Sequence, residues 1–246
     1  MKPLTGRVAL VTGASGGLGQ PIAAALAQAG AAVAIHYGHH VDGARQALAA
    51  IEAQGGQGMV VSANIQHETA VRSMVDQVVA RYQRLDILVN NAGITRDGLL
   101  IQMAQDAWDE VINTNLRGAF YCAKYALRAM LRQKSGTVIN VSSISGLLGN
   151  AGQANYAAAK AGLIGLTLAI AQEYAARGIT ANAVVPGIID TPMSRAVTSR
   201  VVDRKLEAIL LRRPGTPDEV AQAIVLLAQN PYINGTVLRV DGGIRF

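Results

Sequence analysis

The sequence predicts an α/β fold, a doubly wound parallel sheet of about seven strands with helices on both faces. Three observations carry that expectation. Short β-branched apolar runs alternate with longer amphipathic stretches along the chain. The first run opens through a glycine-rich turn directly into a helical pattern. Of the 246 residues, 50% are hydrophobic, rich in Ala and Val, and only 4% are aromatic, which suits layers of small and branched side chains.

The elements follow in order. Val8–Val11 reads as the first strand, and a helix over about 17–29 follows its turn. Ala32–His36 and a helix over about 41–54 form the next unit. Met59–Ser62 leads to a helix over about 67–83, and Ile87–Asn90 to one long helix over about 104–133. Thr137–Val141 precedes a helix over about 155–176. Thr180–Val185, a helix over about 217–229 and the strand Val237–Val240 complete the set. Right-handed crossovers between such strands give a doubly wound sheet. No linker, repeat or low-complexity segment interrupts the alternation, so residues 1–246 read as a single domain. The segment 192–214 breaks the rhythm and carries Arg195, Arg200, Arg204, Arg212 and Arg213. A connection of that length after a strand end reads as a substrate lid or as a solvated insertion.

Bulk properties narrow the function. The net charge of +6 serves solubility, or favours anionic partners such as a phosphorylated cofactor or an acidic carrier protein. Basic residues are scattered without interleaved aromatics, so no nucleic-acid partner is expected. Apolar runs have the length of strands or core helices, none reads as a membrane span, and no apolar targeting segment precedes Val8. A cytoplasmic protein is expected. Cys122 is the single cysteine, which leaves no intrachain disulfide and no cysteine metal cluster. The histidines lack metal-ligand spacing, and no metal is expected. Cys122 and Trp108 read as packing residues.

Thr12-Gly13-Ala14-Ser15-Gly16-Gly17-Leu18-Gly19 runs from a strand into a helix. Glycines there let the backbone turn and approach a pyrophosphate, while the helix start offers free N–H groups and the positive end of its dipole. Pro21 suits the first helical turn, where a missing N–H does no harm. Tyr156 and Lys160 stand at i and i+4 on a helix, one turn apart on one face. A lysine beside a phenol favours phenolate and lowers its pKa, a route to a proton donor near neutral pH. Ser143 ends a β-branched run, at the strand edge where α/β proteins build their sites.

The Gly-xxx-Gly-x-Gly spacing, Asn90-Asn91-Ala92-Gly93, Asn115, Ser143 and the Tyr156/Lys160 pair together resemble the short-chain dehydrogenase/reductase family over essentially the whole chain. The stretch from Asn90 to Asp97, Val111–Leu116, the Pro186–Thr191 loop and the Val240–Gly243 ending are similar to its 3-oxoacyl-acyl-carrier-protein reductase branch. The resemblance implies a dinucleotide-binding (Rossmann) sheet and hydride transfer from a nicotinamide to a ketone carbon. Tyr156 is then the general acid, and Lys160 lowers its pKa and holds the nicotinamide ribose. Ser143 bonds the carbonyl oxygen, and Asn115 positions a water linking Lys160 to solvent, or braces a helix as a buried amide. Ser142 competes with Ser143, but the step from Ser143 to Tyr156 matches the family spacing. Asn90 is expected to support the turn near the adenosine ribose.

Cofactor contacts are expected from Gly13, Ser15, Gly16, Gly17, Leu18 and Gly19, from His36 and Tyr37, from Asn64 and Ile65, and from Asn91, Ala92 and Gly93. Tyr156, Lys160, Pro186, Gly187, Ile189 and Thr191 complete the set. No carboxylate follows the second strand before Asp42, which favours NADPH over NADH, with His36, His39, His40 or Arg45 near a 2′-phosphate. Gly16 stands where many NADP-using relatives carry arginine, and Asn64 where the family has aspartate. Lys134 and Arg177 match places where carrier-protein reductases present charge to the acidic carrier; they equally suit solvated helix ends. The expected activity is NADPH-dependent reduction of an acyl-carrier-protein-bound 3-oxoacyl thioester, in fatty-acid-type biosynthesis, by a homotetramer. Acetoacetyl-CoA reduction, another alcohol/ketone oxidoreduction, or a catalytically silent nucleotide-binding subunit are the alternatives. The substrate walls are expected at about 94–100, 144–153 and 188–213.

Overall fold

The computed structural model describes residues 1–191 and 207–245. Most of the expected lid, including Arg195, Arg200 and Arg204, lies outside the described residues.

In chain order the elements begin β1 (Val8–Val11), α1 (Gly19–Gln28), β2 (Ala32–Tyr37), α2 (Val41–Ala53), β3 (Gly58–Ser62), α3 (Glu68–Tyr82) and β4 (Ile87–Asn90). They continue with α4 (Gln105–Ile112), α5 (Gly118–Gln133), β5 (Gly136–Val141), α6 (Ser145–Leu148) and α7 (Ala154–Tyr174). The last are β6 (Ile179–Pro186), α8 (Pro217–Gln229) and β7 (Val237–Val240). The seven strands form one sheet in the order β3-β2-β1-β4-β5-β6-β7, and every adjacent pair is parallel.

Strand alternation divides the core. Ala9 and Val11 face a cluster with Ile22 and Leu26 of α1, Ile51 of α2 and Ile224 of α8. Val8 and Leu10 face the opposite cluster, with Met74 of α3, Cys122 and Met130 of α5 and Ile170 of α7. Both clusters are closed to water, and each large aliphatic chain buried there contributes about 1.5–3 kcal/mol. Cys122 is a packing residue whose thiol burial pushes up to about 12. Trp108 departs from expectation: it is 37% exposed on α4.

The expected long helix over 104–133 is interrupted. Between α4 and α5, Asn113–Arg117 forms a π-helical turn that contains the buried Asn115. A second departure concerns α7, which with the 3-10 turn Ala175–Arg177 is long and apolar enough to cross a membrane by length and composition. It packs against β5 and β6 and against α4 and α6, which buries part of its apolar surface and leaves Leu168 42% exposed. Near the described end of the expected lid, Arg213 pairs with Glu219, which shares a capping box with Thr216 at the start of α8.

Candidate active site

The strands deliver their carboxyl ends to one edge, where the loops after β1, β4, β5 and β6 meet. The glycine loop after β1 is braced from two sides. Thr12 Oγ1 accepts the N–H groups of Asn91 and Ala92, each at 3.0 Å. Asn91 Nδ2 donates to the carbonyls of Thr12 (2.9 Å) and Gly13 (3.1 Å). Gly13 has φ +64°, and a Cβ there would lie 2.8 Å from Ala92 Cα, so close approach of the two loops requires glycine. Beyond it, a Cβ on Gly16 or Gly17 would meet nothing within 4 Å, so both face open space. Leu18 enters α1 without a side-chain cap; Gly19 N–H turns back to the Gly16 carbonyl (3.0 Å) and Pro21 has none, which leaves the Gln20 N–H at the helix start to a ligand. Ser15 is tied back by Gln20 Nε2, which donates to the Ser15 (3.2 Å) and Gly43 (3.0 Å) carbonyls. These features form a cradle that fits a dinucleotide pyrophosphate.

His36 sits elsewhere than expected. It is buried beneath the loop, where Nδ1 accepts from Gly13 N–H (3.0 Å) and Nε2 donates to the Ala63 carbonyl (3.0 Å). Tyr37 follows it half-buried, while His39, His40 and Arg45 are exposed. Asn64 is exposed and accepts from Gln66 N–H (3.0 Å); Ile65 is buried against Gly118. Asn90 does not support the turn after β4. Its Nδ2 donates to Asn140 Oδ1 (2.8 Å), whose own amide reaches Thr167 (2.8 Å), so it crosses the sheet inside the core.

The catalytic candidates converge on the same edge. Lys160 is buried, and Nζ donates to the Val141 carbonyl (2.7 Å) at the end of β5. Burial pulls its ammonium down to about 8. Nζ lies 5.5 Å from the Tyr156 ring centroid. The expectation that Lys160 lowers the Tyr156 pKa is not met in the protein alone. Burial pushes the phenol up, a hydrogen bond with Ser143 pulls it down, and the Asp97 charge pushes it up again. The net direction is upward, because the ammonium is engaged with Val141 while the ring is largely removed from water. Ser142 donates to the Lys160 carbonyl (2.7 Å) and is buried, which leaves Ser143 as the serine at the phenol.

Asn115 clamps the loop after β4: Oδ1 accepts from Ile94 N–H (2.8 Å) and Nδ2 donates to the Ile94 carbonyl (2.9 Å). A Cβ on Gly93 would lie 3.4 Å from Asn115 Oδ1 and 3.6 Å from Lys160 Nζ, which places both groups around that glycine. On the far side, Gly187 bonds Val240 (3.0 Å), and Ile189 bridges Gly215 beside Thr191. The Pro186 carbonyl accepts from Ile144 N–H (2.9 Å), joining this loop to the serine turn.

Further residues shape the rim. Gln153 Nε2 donates to both Asp97 oxygens (3.1 Å each), and its Oε1 accepts from Asn150 (2.7 Å). Asn155 Nδ2 donates to the Arg96 and Ala107 carbonyls (3.0 Å each) while its Oδ1 accepts from Tyr156 N–H (2.7 Å). Asp97 and Gln153 each fall in a stretch expected to line the substrate, but they are 56 positions apart, so no local pattern announced that they meet. Lys134 and Arg177 lie at the opposite end of β5 and β6, about 17 Å of strand away, and so do not join this site.

A sequence profile of the short chain dehydrogenase family matches residues 7–201. The chain belongs to that family. It is 46% identical over 247 residues to a 3-oxoacyl-[acyl-carrier-protein] reductase of Synechocystis sp., covering 99% of each chain. It is 45% identical over 238 residues to the 3-oxoacyl-[acyl-carrier-protein] reductase FabG of Staphylococcus epidermidis, covering 96% of this chain and 98% of the relative. A FabG of Thermotoga maritima is 42% identical over 247 residues, covering 98% of each. As a short-chain dehydrogenase with these relatives, the protein is an NAD(P)-dependent oxidoreductase.

Proposed function

We propose that this short-chain dehydrogenase is an NADPH-dependent 3-oxoacyl-[acyl-carrier-protein] reductase of fatty-acid-type biosynthesis, acting as a homotetramer in the cytoplasm. The observation that carries the reading is the convergence of Ser143, Tyr156 and Lys160, with Asn115 adjoining, on the strand edge that bears the glycine loop. The names and full-length similarity of the relatives support the substrate class. Three apolar residues on α5 and α7, Phe120, Leu131 and Leu168, stand 37–43% exposed, which suits subunit packing on those helices.

The cofactor would lie on Gly13–Gly19, with Asn64 and Ile65 toward the adenine and Asn91, Ala92 and Gly93 below it. Pro186, Gly187, Ile189 and Thr191 would flank the nicotinamide, which when bound supplies the hydride. Ser143 donates a hydrogen bond to the ketone oxygen as negative charge develops there. Tyr156 gives its phenolic proton to that oxygen. The buried Lys160 ammonium stabilises the phenolate left behind. Asn115 holds the Ile94 loop against the site, and Gln153 fastens Asp97 at the rim.

The test is a panel of ketones at equal concentration: carrier-bound, CoA-bound and free, each followed by NADPH absorbance with NADH in parallel. The carrier-bound 3-oxoacyl thioester with NADPH is expected to give the highest kcat/KM. Preference for the CoA thioester would make the protein an acetoacetyl-CoA-type reductase, preference for NADH would overturn the cofactor assignment, and no turnover of any ketone would make it a silent subunit.

A further inference from the structure

We infer that His36 is a positioning residue for the cofactor, a neutral imidazole that locks the glycine loop to the adenine-side loop and releases it on protonation. The inference rests on the reading that the glycine loop holds the nicotinamide cofactor. His36 is the penultimate residue of β2 and is 2% exposed. It holds the loop at two successive residues: Gly13 N–H donates to Nδ1 (3.0 Å), and Ala14 N–H donates to the His36 carbonyl (2.8 Å). On its other side the ring reaches the Ala63 carbonyl (3.0 Å), immediately before Asn64 and Ile65. One side chain thus joins the loop that would carry the pyrophosphate to the loop that would flank the adenine.

The partners dictate the protonation state. A carbonyl only accepts, so Nε2 carries hydrogen; a backbone N–H only donates, so Nδ1 must be bare. Only the neutral Nε2–H tautomer satisfies both. An imidazolium would set Nδ1–H against Gly13 N–H, and the loop would lose one anchor while the ring lost a bond. Burial disfavours that charged form and lowers the pKa, while the Ala63 bond works the other way.

The charged and titratable groups on neighbouring elements are Tyr37 at the end of the strand, His39 and His40 after it, Asp42, Arg45 and Glu52 on α2, His67 before α3, and Glu68, Arg72, Asp76, Arg81 and Tyr82 along α3. Glu68 pairs with Lys124 (2.6 Å) and bonds Tyr125 (2.9 Å), and Asp42 lies 3.9 Å from Arg45. Among the described residues, the imidazole's hydrogen-bond partners are the two backbone groups alone.

Asparagine offers an acceptor oxygen near the Nδ1 position and does not titrate; leucine fills similar volume and offers none. Dissociation constants for NADP+ would be measured by calorimetry from pH 8 to pH 5 for the wild type, His36→Asn, His36→Leu and Gly16→Glu. At pH 8, His36→Asn should bind within about threefold of the wild type and His36→Leu roughly tenfold more weakly, the scale of one lost buried acceptor. As the pH falls, the ratio of wild-type to His36→Asn dissociation constants should rise by about threefold or more. Taking the ratio cancels any pH dependence common to both proteins, that of the cofactor phosphate included. A flat ratio overturns the proposal whether or not His36→Leu folds, and so does wild-type affinity in a folded His36→Leu. Gly16→Glu sets a carboxylate in the open face of the loop; undiminished NADP+ binding by that variant would overturn the loop assignment instead.

Discussion

Burial acts on Tyr156 and Lys160 in opposite senses, holding the phenol protonated and drawing the ammonium down to about 8. Tyr156 therefore retains a proton to give at neutral pH, and Lys160 retains most of its charge. A base whose folded pKa is depressed loses its charge as pH rises through that value, so kcat/KM for ketone reduction should decline as pH rises through about 8. A pH–rate profile checks this, and Lys160→Met should lack that limb. Ser143→Ala should lower kcat by about 10²–10³-fold, the usual scale for a donor to a developing oxyanion. These side chains were legible in the sequence because the i, i+4 pair and the serine at a strand end are local patterns. The place of His36 was not. A histidine closing a strand beside two exposed histidines looks like a loop residue, and its bonds to Gly13 and Ala63 exist only once three strands have paired.

At the scale of elements, the π-helical turn between α4 and α5 is the departure with a consequence. A straight helix over 104–133 would satisfy the apolar periodicity, which is why the sequence reads as one. The turn instead carries Asn115 into the core, where both ends of its amide clamp the Ile94 backbone. Asn115→Ala should cost about 1–2 kcal/mol of stability through those two half-buried backbone groups, measured by urea denaturation. It should also reduce turnover, since the released loop carries Arg96 and Asp97 at the rim. The strands emerged within a residue or so of their expected bounds, since alternation of faces fixes them. The short helix α6 and the Gln153–Asp97 clasp did not emerge, because both depend on contacts distant in sequence.

Across the whole molecule, the two sheet edges divide the work. The carboxyl edge bears the glycine loop and the proposed catalytic side chains, while near the amino edge Asp86 joins β1 to the start of β4. Asp86 is buried, accepts from Val8 N–H (2.9 Å) and pairs with Arg7 (3.0 Å) and Arg84 (2.6 Å). Burial pushes its carboxyl up, but Arg84, the Val8 amide and Arg7 outweigh it and hold the pKa below the usual carboxylate value. A depressed carboxylate adds stability above its unfolded pKa of about 3.9 and loses it as pH falls through the folded value. Asp86→Asn should therefore cost about 1–3 kcal/mol at pH 7, discounted because both arginines stay half in water, and the difference should shrink toward pH 3 in denaturation curves. The claim that joins both scales of site and fold is that Tyr156 protonates a 3-oxoacyl thioester at the glycine-loop edge. NADPH oxidation with a carrier-bound 3-oxoacyl thioester, in the wild type beside Tyr156→Phe, tests it most directly. The wild type should turn over, and a folded Tyr156→Phe should fall in kcat by about 10²–10⁴-fold; equal turnover in the two proteins, or none by the wild type, would contradict the claim.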